Sequence, residues 1–244
     1  SLEILYRNPY WLAINKPPGL SVHNGTRESP DVLLILGEQL KISTNSLHPL
    51  HRLDQEASGV MLIGVDQGVD ARSTGQHSSR GSNPKSVPNF ETDSIHKKYI
   101  AVLRGKLKSD EENMKSNASG VWDWPLTNRA EGRRDPQGQK ISQVPAKSLY
   151  KVLRMNNYFS LVEIVIETGR THQIRRHAAL AKHPVVGDRR YDTDKYCDLI
   201  FEKYKSRRLF LHAQSLTLEW QGQTLKIESA IPKDFDLLIG EQTQ

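Results

Sequence analysis

His51-Arg52-Leu53-Asp54-Gln55-Glu56-Ala57-Ser58-Gly59-Val60-Met61-Leu62-Ile63 sets an acidic side chain just ahead of a short apolar run. The run, opened by Ser58-Gly59, reads as a buried strand that fixes the backbone carrying Asp54 in a core. Arg52 and His51 stand close enough in sequence to shape the ionisation of that carboxylate. The same residues also fit a loop aspartate that closes a turn before a strand. The surrounding chain has to separate the two readings.

Upstream, residues 2–16 predict two short strands around Arg7-Asn8-Pro9, and Lys16-Pro17-Pro18-Gly19 stops regular structure. Asp31 to Leu40 has helical spacing, with Val32, Leu33, Ile35, Leu36 and Leu40 apolar and Asp31 placed to cap. Downstream, Lys98 to Gly105 predicts a strand running into a turn. Tyr158 to Glu167 alternates cleanly and is apolar enough to be covered on both faces. Thr171 to Lys182 has helical character, with Thr171 a candidate cap and Pro184 its end. Leu209–Ala213 and Leu216–Trp220 predict two further strands, Gly222 a hairpin turn, and Thr224–Ser229 the return. Strands outnumber helices and many neighbours are hairpin-linked. The expected class is therefore α+β, with a mixed, largely antiparallel central sheet and flanking helices and loops. One domain over residues 1–244 is expected, with polar, flexible excursions near 72–89, 109–120 and 129–140.

Two numbers bound the function. Cys197 is the only cysteine, which excludes a disulfide framework and a cysteine-based metal site. The net charge of +6 and pI near 9.3 are moderate, but the charge is unevenly spread. Basic residues crowd Lys97–Lys108, Arg129–Lys140, Arg170–Arg190 and Lys203–Arg208. Such clusters are the footprint of a polyanion partner or, more plainly, solvated faces. The opening Leu2-Glu3-Ile4-Leu5-Tyr6 alternates like a strand and lacks the pattern of a signal peptide. No apolar run is long enough to cross a bilayer. A cytoplasmic, monomeric protein without membrane contact is the expectation.

Four segments concentrate reactive side chains: His51–Asp54, Lys97-Lys98-Tyr99, Gly169-Arg170-Thr171-His172-Gln173-Ile174-Arg175-Arg176-His177, and Leu209–Ala213. In the third, Arg170, His172 and Arg175 gather positive charge where a helix start already favours an anion, either a phosphate or a buried carboxylate. Zinc is disfavoured because His172 and His177 are five apart and lack an interleaved acid. No Gly-x-Ser-x-Gly elbow and no phosphate-binding glycine loop is present. What remains is one carboxylate, one aromatic ring and several arginines.

Together these segments resemble a known family. His51-Arg52-Leu53-Asp54 with Ser58-Gly59, then Lys98-Tyr99, then Gly169–Arg175 and Leu211-His212-Ala213 look like the ordered motifs of the RluA family of RNA pseudouridine synthases. Asn15-Lys16-Pro17-Pro18-Gly19 and His183-Pro184-Val185-Val186-Gly187-Asp188 add to the likeness, which spans essentially residues 2–232. It is nearest to a compact member without an N-terminal RNA-binding extension. The chain departs at Ala57, where the family usually has threonine or another small residue, and between Gly64 and Lys98, which is longer and rich in Ser, Gly and Pro.

The resemblance implies an isomerase that converts uridine in structured RNA, transfer or ribosomal, to pseudouridine without cofactor or metal. Asp54 would be the catalytic carboxylate, Tyr99 the tyrosine stacked on the target base, and Arg175 the cation that keeps Asp54 ionised. Arg52 would line the route of the flipped nucleotide, Ile174 and Leu211 would form an apolar wall, and Arg170 and His51 would complete the substrate-binding set. His51 and His212 are expected to orient loops through hydrogen bonds and not to act as acid or base. Tyr99 also fits a plain core or edge-strand tyrosine. Two other functions compete. One is a non-catalytic RNA-binding or chaperone-like protein on the same fold; the other is a nuclease, which the lack of an acidic metal cluster disfavours.

Overall fold

Asp31 caps its helix as the spacing predicts, its carboxylate accepting from Leu34 N at 2.8 Å, in the computed structural model of the chain. The structure describes residues 1–23, 25–26, 28–66, 87–88, 90, 95–107 and 118–240. The excursions expected near 72–89 and 109–120 lie almost wholly outside these residues. In chain order the elements are β1 (Glu3–Arg7), β2 (Trp11–Lys16), α1 (Val32–Leu40), β3 (Leu47–Pro49), β4 (Ser58–Val65), β5 (His96–Arg104), β6 (Ser119–Trp122), β7 (Leu126–Thr127), β8 (Gln143–Val144), β9 (Ser148–Met155), β10 (Phe159–Ile166), α2 (Gln173–Leu180), α3 (Asp194–Tyr204), β11 (Leu211–Trp220), β12 (Gln223–Glu228) and α4 (Asp236–Ile239). The fold is α+β with a largely antiparallel sheet and few helices.

The chain packs as two units, Ser1–Ile95 with Ser215–Ser229 and His96–Gln214 with Ala230–Gln244. In the first, β1 and β2 form a hairpin because Asn8 Oδ1 accepts from both Tyr10 N and Trp11 N. β2 then pairs antiparallel with β4, setting Lys16 opposite Gly59 and Trp11 opposite Gly64. The core of this unit is Trp11, Ala13, Val60, Leu62, Leu216, Leu218 and Ile227, and the Trp11 and Trp220 rings meet edge to face at 5.6 Å. Gln221 and Gly222 both take positive φ between β11 and β12, the two-residue hairpin the sequence announced.

In the second unit, β5, β10, β9 and β6 lie side by side, antiparallel. Residues directly opposite one another across such strands share a face. Ile100, Val102, Phe159 and Leu161 bury one face against Ile200, Phe210 and Phe235. The other face carries the row Tyr99–Ile164–Tyr150 and, next to it, Lys97–Ile166–Ser148. Helix α2 sits over this second face, since Gln173 Nε2 and His177 Nδ1 both reach Ser148 Oγ, at 3.0 Å each.

Four local expectations change. Leu209–Ala213 and Leu216–Trp220 are not separate strands: β11 runs unbroken from Leu211 to Trp220. The second polar stretch ends before Gly120, because β6 begins at Ser119. Helix α3 was not anticipated, although Thr193 caps it through Tyr196 N, and Cys197 and Ile200 carry its buried stripe. Thr171 does not cap α2. Its hydroxyl donates instead to Asn128 O at 2.9 Å, and the helix starts at Gln173 after His172 in the left-handed region.

Gly187 is required on two counts. Its φ is +82°, and an added Cβ would fall 2.0 Å from the Arg208 carbonyl oxygen. Gly187→Ala is expected to destabilise the protein by about 2–3 kcal/mol, a clash that only backbone movement relieves. Thermal unfolding measures this; an unchanged midpoint contradicts it.

Candidate active site

Asp54 lies half-buried at the first position of a turn, its carbonyl accepting from Ala57 N at 3.1 Å. A buried ammonium fixes the loop that follows. Lys16 Nζ donates to the carbonyls of Pro17, Leu20 and Gln55 at 2.8–3.0 Å, and Gly19 N also donates to Gln55 O. Gln55 Nε2 returns a bond to Gly19 O at 3.1 Å. The Lys16-Pro17-Pro18-Gly19 segment, in sequence a stop to regular structure and part of a family-like motif, is thus the clamp on the Asp54 turn. On the other side, Leu62 N donates to His51 Nε2 at 3.1 Å, so Nδ1 carries the proton and faces Arg52 O at 3.2 Å. The His51 ring stacks on Phe90. Both contacts hold the His51 ring in place. Arg52 is exposed and Leu53 buried.

The other candidates belong to the second unit. Tyr99 is only 7% exposed, in the row it shares with Ile164 and Tyr150. Burial pushes the neighbouring Lys97 ammonium below the usual lysine range. Ile174 and Leu211 are buried apolar residues, Leu211 at the head of β11. Arg170 is half-buried, and its Nε donates to Pro145 O at 3.0 Å.

Arg175 has the buried carboxylate that its setting called for, contributed by a residue the sequence reading did not single out for that role. Its Nε and Nη2 donate to Asp188 Oδ2 and Oδ1 at 2.7 and 2.9 Å, and both side chains are buried. Arg190 N and Tyr191 N donate to the same Oδ1. Asp188 therefore receives four hydrogen bonds and holds the guanidinium plane in one orientation. It ends the His183–Asp188 motif, whose Gly187 makes the tight approach described above. That motif was the available signal.

The adjacent α2 residues are also buried and polar. His177 Nε2 faces Trp124 O at 2.9 Å and so carries the proton, while Nδ1 faces Ser148. Burial pushes its pKa below the usual 6.5, opposed by the Trp124 carbonyl and assisted by the Arg176 charge. Among the described residues no group of three or more His, Cys, Asp or Glu could hold a metal ion, and no helix is long and apolar enough to cross a membrane.

With this geometry in view, three comparisons are informative. Residues 10–180 match the family described as RNA pseudouridylate synthase. The chain belongs to the RluA family of RNA pseudouridine synthases. It is an isomerase of that family, 30% identical over 245 residues to tRNA pseudouridine synthase C of Salmonella typhimurium, covering 94% of this chain and 85% of the relative. It is 28% identical to ribosomal large subunit pseudouridine synthase C of Pasteurella multocida, covering 98% of this chain and 67% of that one. The solved structure of human RNA pseudouridylate synthase domain containing 4 superposes with a TM-score of 0.66 at 25% identity, over 96% of this chain and 90% of that one.

Two outcomes test the site's framework. Asp188→Asn removes the carboxylate from a buried cation, and the expected loss is about 3–5 kcal/mol; denaturant unfolding with no shift in midpoint would refute the assignment. Stability is also expected to fall as pH drops below about 6.5, because the unfolded chain takes up a proton there that folded His177 refuses. His177→Gln flattens that acid limb; an identical pH profile for variant and wild type excludes His177 as its source.

Proposed function

We propose that this pseudouridine synthase acts on uridine in structured RNA, with Asp54 as the catalytic carboxylate. The observation that carries the reading is the family match over residues 10–180, a span that contains Asp54, Tyr99 and Arg175 at its ordered motifs. The reaction breaks the uracil N1–C1′ bond, turns the base, joins C5 to C1′ and moves the C5 proton to N1. Reactant and product are isomers, so no oxidant, group donor or energy carrier enters the balance. Asp54 acts on the ribose, either by attack at C1′ or by taking a ribose proton.

A base stacked in folded RNA has to leave the stack, at a cost of a few kcal/mol. Tyr99 offsets part of this by stacking, worth about 1–3 kcal/mol for a base on an aromatic ring. Arg52 helps the nucleotide out, Arg170 and His51 complete the substrate-binding set, and Ile174 and Leu211 form an apolar wall that excludes water. Arg175 is the cation proposed to partner Asp54, and Asp188 keeps that guanidinium from turning.

Transfer RNA is the substrate proposed, because the relatives of Salmonella typhimurium and Vibrio cholerae that match the chain are named for tRNA. Asp54→Asn is expected to abolish pseudouridine formation while RNA binding stays within about twofold of wild type. Chemical mapping of pseudouridine in transfer and large-subunit ribosomal RNA, with active and variant protein, reads both. Equal pseudouridine with the two proteins overturns the role of Asp54. Sites confined to ribosomal RNA overturn the choice of transfer RNA. An RNA chaperone on this fold would bind both forms equally and modify with neither.

A further inference from the structure

The segment between β7 and β8, residues 128–142, has no apolar core of its own, yet it is held by two arginines acting through its main chain. Arg176, fully buried on α2, donates to the carbonyls of Thr127, Arg129, Pro136, Gln137 and Thr171 and to Thr127 Oγ1, at 2.5–3.2 Å. Arg190 donates to the carbonyls of Ala130 and Glu131. No carboxylate takes part in either set, so the carbonyls of the segment are drawn inward around two cations.

The side chains sort the opposite way. Both acids serve the interior of the segment: Glu131 accepts from Thr127 Oγ1 at 2.8 Å, and Asp135 accepts from Gly138 N at 2.9 Å. Of the bases, Arg133 pairs with exposed Asp194. Arg129, Arg134 and Lys140 are exposed and form no ion pair among the described residues. Beside Lys140 stands Ile141, 96% exposed, the most exposed of the large apolar side chains described. An isoleucine so bare next to unpaired cations has no folding role, because it buries nothing.

We propose that residues 128–142 are an RNA-contacting arm, preorganised by Arg176 and Arg190. Arg129, Arg134 and Lys140 bind phosphates, and Ile141 packs on a base or sugar face of the substrate. This rests on the reading of the protein as an RNA-modifying enzyme and adds where the RNA is gripped beyond the target nucleotide. The chemistry fits a polyanion with apolar faces. Cations released from phosphates give salt-dependent affinity, while an apolar contact gives affinity that salt leaves alone. Fixing the arm in advance spares the ordering cost that a loose loop pays on binding.

The test uses the full chain and in vitro transcribed, unmodified transfer RNA as probe, with Kd measured across a salt series and pseudouridine formation measured in parallel. Arg134→Glu/Lys140→Glu is expected to weaken binding about tenfold or more and to flatten the log Kd–log salt slope by about 1.4–1.8, at roughly 0.7–0.9 per lost phosphate contact. KM rises with Kd, and turnover at saturating RNA stays within about twofold. Ile141→Ser is expected to weaken binding severalfold with the salt slope and thermal midpoint unchanged. Both substitutions are on exposed side chains, so the fold survives them. Unchanged Kd and slope in the double variant, or lost turnover at unchanged KM, overturns the arm. No pseudouridine from wild type in transfer or ribosomal RNA sinks the modification reading instead, and Kd still judges the arm separately.

Discussion

The Arg175–Asp188 ion pair is the constraint around which the second unit is arranged. Two charges removed from water cost several kcal/mol each, and only good geometry with further hydrogen bonds offsets that. Here the pair is bidentate, and two main-chain N–H groups complete the shell of Asp188. Helix α2 is only eight residues long, lacks a side-chain cap and begins after a left-handed histidine, so its own hydrogen bonds cannot fix where it lies. Its position comes from four buried polar residues, Gln173, Arg175, Arg176 and His177, around the apolar Ile174. Each reaches a different segment: Lys147 and Ser148, Asp188, residues 127–137, and Trp124. A fully satisfied polar network of this kind admits few alternative packings, which a greasy helix of the same length would not ensure.

How much of this the sequence discloses depends on the distance over which each signal acts. Asp31 announces its helix, and Gln221-Gly222 its hairpin, because the decisive contact lies within three residues. β4 and β10 are legible because burial on both faces leaves an unbroken apolar run. Thr171 was misleading, since a hydroxyl three residues ahead of a helical pattern has the local look of a cap while its partner, Asn128, is 43 residues away. Helix α3 was legible in principle from Thr193 and the buried pair Cys197 and Ile200, but five charged residues within it mask the stripe. Asp188, Lys16 and Arg176 could not be assigned from spacing at all. Their partners are fixed by tertiary packing, and an aspartate or lysine carries no mark of being buried.

Lys16 and Arg176 share one device. Each is a buried cation that donates to several main-chain carbonyls. The first secures the turn that bears Asp54, and the second the residues between β7 and β8. Carbonyl groups near a loop are plentiful and cannot be titrated away, so loops held like this keep their shape across the pH range in which carboxylates change charge.

The same device changes what the basic clusters mean. Read along the chain, Arg170–Arg190 is as strong a polyanion footprint as Arg129–Lys140. In space, Arg175 and Arg176 are buried, Arg170 and Arg190 are engaged by carbonyls, and Arg189 pairs with Asp198. Most of that cluster is internal scaffolding whose field is already compensated. The cluster at 129–140 is the reverse, with its acids turned to internal hydrogen bonds and its four cations exposed, three of them without an ion pair among the described residues. Affinity for a polyanion follows the charges that can shed counterions into solution, not the formal total. A net charge of +6 therefore understates the asymmetry, because some cations that contribute to it never meet the solvent.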